Sequence, residues 1–219
     1  MNSLAKRSIS GAVFVAVMLL GLLTNKYAFG ALTLFMTVGM AVELIRVSGW
    51  KNWPIILCGL LYILSSMAAM NALGFIGGDF SGLLLLSIFI IIWGSDVGAY
   101  CIGSSLGQKN GSRKLAPKIS PNKSWAGYWG GLVFAVIAAV LLNVTGLMRN
   151  PVHHCIILAI LIHVFGVFGD LLESVWKRHF GVKDSGSIIP GHGGLLDRFD
   201  STMLAVPVSL AYLLVFNLI

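Results

Sequence analysis

Residues 81–100 read Ser81-Gly-Leu-Leu-Leu-Leu-Ser-Ile-Phe-Ile-Ile-Ile-Trp-Gly-Ser-Asp-Val-Gly-Ala-Tyr100. The run carries no charge until Asp96, close to its end. A helix that spans a bilayer needs about 20 mostly apolar residues. The stretch therefore predicts a transmembrane helix that ends beside a carboxylate.

The composition of the whole chain supports a membrane protein. Of its 219 residues, 57% are hydrophobic and 11% are charged, with a mean hydropathy of +0.89. Soluble domains carry about 25% charged residues, so a soluble enzyme, a disordered chain and a nucleic-acid-binding domain are disfavoured. We predict an all-α, polytopic bundle of transmembrane helices. About seven stretches qualify as spans: 8–24, 27–45, 53–70, 81–100, 126–148, 152–172 and 203–219.

The basic residues predict the orientation of the bundle. Lys6 and Arg7 precede the first span as in a signal peptide, but no small-x-small cleavage site follows, so we expect a retained helix. With a cytoplasmic N-terminus, 13 of the 15 Lys and Arg residues fall on the cytoplasmic side, as the positive-inside rule requires. A count that differs by two helices would preserve this bias. The net charge of +7 thus reflects membrane orientation rather than nucleic-acid binding.

The carboxylates follow the same geometry. Three spans that run inward end near Glu43, Asp96 and Asp170, and the last span begins just after Asp197 and Asp200. All but one of the eight acids are therefore predicted on the cytoplasmic side. Ionisable groups at the edge of apolar runs are costly and often mark a functional cavity. The alternative is that they are solvated helix ends or partners of nearby Lys and Arg, and it stays open for Glu43 and Glu173.

Two segments on this side have a composition suited to phosphate. The first runs from Trp93 to Trp125 and includes Lys114-Leu-Ala-Pro-Lys118-Ile-Ser-Pro-Asn-Lys123. Lysine offers compact positive charges, and serine adds hydrogen bonds. Lys118, Ser120 and Lys123 are therefore candidate phosphate ligands, although basic loops of this kind often serve only to orient a membrane protein.

The second segment is more specific. It reads Ser174-Val-Trp-Lys-Arg-His-Phe-Gly-Val-Lys-Asp-Ser-Gly-Ser-Ile-Ile-Pro-Gly-His-Gly-Gly-Leu-Leu-Asp-Arg-Phe-Asp200. Glycines allow close approach of the backbone to an anion. Asp197 and Asp200 would share one face of a helix start, and paired carboxylates suit Mg²⁺, which bridges to substrate phosphates. The combination predicts metal-dependent phosphoryl or nucleotidyl transfer.

Segment 174–201 resembles the signature of the phosphatidate cytidylyltransferase (CDP-diacylglycerol synthase) family. That pattern is S-x-x-K-R-x4-K-D, then a short spacer and H-G-G-x-x-D-R-x-D, and every fixed residue is present. The first segment is similar to the family's W-G-x-D-x-G-A-Y and K-x-x-P-x-x-S-P-x-K-[ST]-W stretches. The resemblance covers roughly residues 93–215. Trp176 departs from the usual aliphatic or Phe residue.

The resemblance implies transfer of cytidylyl from CTP to phosphatidate, giving CDP-diacylglycerol and pyrophosphate for phospholipid biosynthesis. It implies Mg²⁺ as cofactor and leaves a second cation open. The expected catalytic residues are Lys177, Arg178, Lys183, His192 and Arg198. The expected substrate-binding residues are Lys118, Ser120, Lys123, Ser174, Asp184, Gly193 and Gly194. The expected metal ligands are Asp96, Asp170, Asp197 and Asp200.

Some assignments stay open at this stage. His192 is either a general acid, a hydrogen-bond donor to phosphate, or an anchor of its glycine-rich loop. His163 lies alone in an apolar run and is predicted to be a packed core residue. The three cysteines are widely spaced, which predicts packing roles rather than a disulfide or zinc site. A CTP-dependent lipid or polyprenol kinase, a CDP-archaeol synthase and an ion-coupled transporter are the competing functions.

We expect a single integral membrane domain over 1–219, with N-terminal helices over 1–90 and a catalytic portion carrying the loops 93–125 and 174–201. The expected location is a bacterial inner membrane, with the active site facing the cytoplasm. The expected partners are CTP, phosphatidate and membrane lipid, without nucleic acid. A homodimer is compatible with the sequence, which does not fix the oligomeric state.

Overall fold

The chain folds into a helical bundle with one small sheet. The computed structural model describes the backbone of residues 3–109, 112–189, 191 and 193–219, and the side chains of these residues from 8 onward. The helices of this part are α1 (Ser3–Leu23), α2 (Lys26–Ser48), α3 (Trp53–Gly74), α4 (Leu83–Ser105), α5 (Trp125–Val144), α6 (Val152–His179), α7 (Leu196–Phe199) and α8 (Thr202–Val215). Two strands, β1 (Lys114–Ala116) and β2 (Ser120–Ser124), complete it.

The all-α, membrane-spanning architecture predicted from the sequence is confirmed. Within the described residues, six helical segments are long and apolar enough to cross a bilayer. They are α2 to α6 and the segment Leu196–Val215, which joins α7 to α8. The first predicted span corresponds to α1, whose apolar part, Ser8–Leu23, is shorter than these six.

Two helices continue beyond the predicted spans, which corrects the expected loop boundaries. Helix α4 extends to Ser105 and α6 to His179, so the segments expected as loops from residues 93 and 174 begin as helix. A hydropathy criterion ends a span where polar residues begin, whereas a helix continues while its backbone hydrogen bonds and packing persist. Asp96, Asp170 and Ser174 are therefore held on rigid helices rather than on loops.

Helices α4 and α5 pack closely because glycine lines their contact. A Cβ atom placed on Gly130 would lie 2.5 Å from Cβ of Ile102. No side chain fits in that space, so the backbones approach as small residues allow in membrane helices. The connection between these helices forms the antiparallel β1–β2 hairpin. At the end of the hairpin, the Ser124 hydroxyl caps α5 by accepting a hydrogen bond from the Gly127 amide at 3.1 Å.

The short helix α7 is packed into the bundle by its aromatic residue. Phe199 is 1% exposed, and its ring lies 5.8 Å from that of Phe14 and 6.4 Å from that of Phe89. Helix α7 is therefore held against α1 and α4 by this ring. The predicted grouping of the acids at one end is confirmed by the contacts described next.

Candidate active site

Glu43 at the end of α2 holds the α6–α7 loop in place. Its carboxylate is buried, with the residue 2% exposed. It accepts hydrogen bonds from the Leu195 and Leu196 amides, each at 2.9 Å, and from the Ser185 hydroxyl at 3.0 Å. The two amides begin α7 and have no partner within that helix. The alternative of a solvated helix end is thus wrong for Glu43, because the carboxylate is an internal anchor.

Replacing Glu43 by Ala is expected to destabilise the protein strongly. Each buried donor left unsatisfied costs about 1–3 kcal/mol, and this substitution leaves two amides without an acceptor, while the Ser185 hydroxyl keeps Asp197 as its acceptor. The measurement is thermal unfolding of the purified protein in detergent. Glu43→Gln keeps a carbonyl acceptor and should unfold at an intermediate temperature. An unchanged unfolding temperature for Glu43→Ala would contradict the anchoring role.

Asp197 is the second anchor of the same loop. Its Oδ1 atom lies 2.7 Å from Lys177 Nζ. Its Oδ2 atom accepts hydrogen bonds from the Ser185 amide at 2.9 Å, the Ser185 hydroxyl at 3.0 Å and the Gly194 amide at 2.7 Å. Gly193 permits this turn, because its φ is +85° and a Cβ there would lie 2.5 Å from Oδ2. Both carboxylate oxygens of Asp197 are therefore bonded to protein groups.

Lys177 joins this anchor to the end of α6. The residue is 8% exposed, and its ammonium also lies 3.3 Å from Oε1 of Glu173. A buried charge of this kind is tolerated only when it is paired. Lys177 thus links α6 to α7 through Asp197 and also pairs with Glu173 within α6. The predicted phosphate contact of Lys177 stays a prediction.

A polar cavity of about 330 Å³ lies between α4, α5, α6 and the β1–β2 hairpin. Its walls include Asp96 from α4, Asp170 from α6 and Lys123 from β2. The Lys123 ammonium forms an ion pair with Oδ2 of Asp170, and the Ser174 hydroxyl donates to Oδ1 of Asp170 at 3.3 Å. The structure therefore brings together predicted residues from both signature segments.

An apolar cavity of about 370 Å³ lies between α2, α3, α6 and α8. Leu44, Ile63, Leu172 and Met203 are among its apolar lining residues. A few polar groups also face it, namely Tyr62, Glu173, His179 and Asp200. The cavity therefore combines a hydrophobic wall with carboxylates, which suits an amphiphilic molecule.

The two cavities adjoin each other at two consecutive residues of the chain. Asp200 lines the apolar cavity, and the next residue, Ser201, lines the polar one. The Asp200 carboxylate interacts electrostatically with those of Asp170 and Asp96. A molecule in each cavity would therefore meet the other at this group of carboxylates.

The carboxylates suit a metal ion that is shared with a phosphate. Among the residues that the structure describes, no three His, Cys, Asp or Glu side chains converge closely enough to hold an ion alone. Mg²⁺ commonly takes only one or two protein carboxylates and completes its shell with phosphate and water. Asp96 and Asp170 fit that pattern because both line the polar cavity, and Asp200 interacts electrostatically with both, whereas Asp197 already bonds to protein. The predicted metal role of Asp197 stays a prediction.

Some of the remaining predicted residues are exposed, and others form contacts within the protein. Lys118, Lys183, Asp184 and Arg198 are exposed, and Ser120 is half-buried in β2. Arg198 interacts electrostatically with Asp96. The Arg178 guanidinium donates to the carbonyls of Ile119 at 3.3 Å and Val182 at 2.8 Å, which ties the hairpin to the loop after α6. His192 lies outside the described residues.

The sequence analysis assigned no role in the site to two residues beside the polar cavity. Ser95 lines the cavity and bonds to His163. His163 is 1% exposed, which confirms its predicted burial. A lone histidine in an apolar run carries no signal of its partner, so only the fold reveals the pair.

Comparison with known proteins identifies the family of this chain. The family model described as the Cytidylyltransferase family matches residues 49–216, which is more than half of the chain. The chain belongs to the cytidylyltransferase family. The match includes both signature segments, the two cavities' carboxylates and the Lys123–Asp170 ion pair.

Two curated relatives of this chain are both named phosphatidate cytidylyltransferase. The chain is 44% identical over 118 residues to the phosphatidate cytidylyltransferase of Bacillus subtilis (strain 168), which is 54% of this chain and 42% of that protein. It is 46% identical over 128 residues to that of Haemophilus influenzae (strain ATCC 51907 / DSM 11121 / KW20 / Rd), which is 57% of this chain and 43% of that protein. The matched stretch is thus less than half of each relative's own length.

Proposed function

We propose that this protein transfers cytidylyl from CTP to phosphatidate, giving CDP-diacylglycerol and pyrophosphate. One observation carries the proposal. A polar cavity lined by Asp96, Asp170 and an ion-paired lysine adjoins an apolar cavity at the consecutive residues Asp200 and Ser201, and the Asp200 carboxylate interacts electrostatically with the other two. A reaction between a charged nucleotide and a lipid requires this combination of two unlike sites.

In this proposal the nucleotide phosphates occupy the polar cavity. Lys123 supplies a positive charge to the wall of this cavity. Its side chain is partly exposed, so its ammonium can leave the Asp170 carboxylate and bind a phosphate oxygen instead. Asp96, Asp170 and Asp200 would hold Mg²⁺ together with these phosphates. When bound, the ion neutralises charge on the phosphate oxygens and on the departing pyrophosphate. The second cation expected from the sequence stays open.

The lipid occupies the apolar cavity in the same proposal. Its acyl chains would contact the hydrophobic wall formed by α2, α3, α6 and α8, and its phosphate would lie toward Asp200. The carboxylate of Asp200 cannot bind the lipid phosphate directly without charge repulsion. Arg198, two residues away and exposed, is therefore the proposed phosphate-binding cation at this junction.

The chemistry requires positioning rather than a strong base. The lipid phosphate oxygen is already anionic near neutral pH, so it attacks the α-phosphorus of CTP without losing a proton first. One P–O bond forms from that oxygen, and the bond to the bridging oxygen breaks as pyrophosphate leaves. The residues of the polar cavity hold the reacting groups in line and offset the charge.

The proposed orientation places the carboxylate end of the bundle toward the cytoplasm of a bacterial cell, in its inner membrane. The distribution of Lys and Arg supports this direction. CTP would enter from the cytoplasm, and phosphatidate would enter from the bilayer. A homodimer is compatible with this arrangement.

The test uses the purified full chain in phospholipid-containing detergent with CTP, phosphatidate and Mg²⁺. We expect release of pyrophosphate and a cytidine-bearing lipid in equal amounts. Chelation of Mg²⁺ by EDTA should abolish both products, and added Mg²⁺ should restore them. Release of CDP with a phosphorylated lipid would instead indicate a kinase. A folded protein that yields no pyrophosphate would rule out the proposed function.

A further inference from the structure

A buried hydrogen bond joins α4 to α6 beside the polar cavity. The hydroxyl oxygen of Ser95 lies 2.8 Å from Nδ1 of His163. Ser95 is 6% exposed and His163 is 1% exposed. Ser95 lines the polar cavity and immediately precedes Asp96. The bond therefore fixes the backbone of α4 next to a carboxylate of the site.

The imidazole of His163 is tightly enclosed. Its ring centroid lies 4.7 Å from that of Tyr128, which also lines the polar cavity. A Cβ atom on Gly131 would lie 2.9 Å from Cε1 of His163. The ring thus fills a slot that the glycine of α5 leaves open, and this slot fixes the position of the α4–α6 bond.

His163 and Asp170 lie on the same side of α6. They are two helical turns apart, a spacing that places side chains on one face. The Ser95–His163 bond therefore connects the two helices that carry Asp96 and Asp170. These two carboxylates interact electrostatically and repel each other. A bond between their helices opposes that repulsion.

Resting on the proposed function, we propose that His163 is a positioning residue for the nucleotide and its divalent cation. Through Ser95, it sets the spacing of Asp96 and Asp170 across the polar cavity. Groups that support ligating residues in this way have large effects on metal affinity although they touch no substrate. His163 is distinct from the signature motifs, since it lies in the apolar part of α6.

A packing role alone does not account for the histidine. Polar side chains are costly within a transmembrane helix, and His163 is buried between α4, α5 and α6. A phenylalanine would fill the same slot without that cost. The bond to Ser95 is the contact that an apolar ring could not supply.

The test measures binding separately from turnover in the full-length protein. His163→Phe should weaken the affinity for CTP in the presence of Mg²⁺, and for Mn²⁺ in the presence of pyrophosphate, by about 10-fold to 100-fold. The KM for CTP should rise accordingly, while kcat at saturating CTP and Mg²⁺ changes far less. Ser95→Ala should have the same effect, and the double variant should bind no more weakly than either single variant.

The matched control lies at the other end of α6. Nδ1 of His154 lies 2.7 Å from the hydroxyl oxygen of Tyr212, so His154→Phe removes a similar bond far from the carboxylates. This control should lower the unfolding temperature without changing CTP or Mn²⁺ affinity. Additive effects of the two substitutions at Ser95 and His163 would overturn the proposal. Wild-type affinities in His163→Phe would overturn it as well.

The binding measurements also separate this proposal from the proposed function. If the wild type forms no cytidine-bearing lipid, the proposed function fails, and the Mn²⁺ titration still tests the positioning role. In that case, equal Mn²⁺ affinities of wild type and His163→Phe, or no Mn²⁺ binding by the wild type, would overturn it. If lipid product forms but the variants bind CTP normally, only the positioning role fails.

Discussion

Asp170→Asn is expected to lower the rate of pyrophosphate release by about 100-fold or more while leaving the protein folded. In the proposed function, Asp170 helps to hold the Mg²⁺ that offsets charge on the reacting phosphates. Loss of such charge stabilisation commonly costs about 100-fold to 1,000-fold in kcat. Asp170 lines the polar cavity, pairs with Lys123 and interacts with the carboxylates of Asp96 and Asp200. The substitution removes its charge but keeps its shape. Because Asp170 and Lys123 are partly exposed, water can solvate the lysine that is left unpaired.

The measurement is initial velocity with CTP, phosphatidate and varied Mg²⁺, together with the unfolding temperature. Asp79→Asn is the matched control, since Asp79 is exposed in the connection between α3 and α4. The control should retain wild-type velocity and stability. Near-normal velocity in Asp170→Asn would show that the polar cavity is not the site of nucleotidyl transfer.

The sequence predicted the fold because the apolar runs are long and the charges are confined to one side. The same argument placed Asp96 and Asp170 at one end of the bundle, which the structure confirms. It could not predict the β1–β2 hairpin, because Pro117 and Pro121 flank or interrupt strands that are only three and five residues long. Proline is tolerated in such an isolated pair because the outer edges need no further hydrogen bonds.

The two acids of the last signature segment show what the sequence could not resolve. Asp197 and Asp200 look equivalent, since both precede the last span and are three residues apart. Their partners differ because Lys177, Ser185 and Gly194 all lie beside Asp197, which depends on how α6 packs against the loop. The anchoring role of Glu43 has the same origin, because its partners lie far along the chain.

Asp197→Ala is expected to destabilise the protein by about 2–6 kcal/mol, because it leaves two amides without their acceptor at about 1–3 kcal/mol each and removes one of the two carboxylates paired with Lys177. The side chains of Asp197 and Lys177 are 7% and 10% exposed, so water cannot replace the lost carboxylate. The two amides are those of Ser185 and Gly194. The measurement is thermal or denaturant unfolding in detergent, made alongside the transferase assay.

Asp184→Ala is the matched control for this prediction. Asp184 belongs to the same signature segment but is exposed, so its removal should leave the unfolding temperature nearly unchanged. Asp197→Asn keeps an oxygen acceptor and loses the charge, and its stability should fall between those of Asp197→Ala and wild type. If Asp197→Ala instead unfolds like the wild type but forms no pyrophosphate, Asp197 acts on the substrate or its metal. The anchoring role would then be wrong, and the equivalence of the two acids that their spacing suggested would be restored.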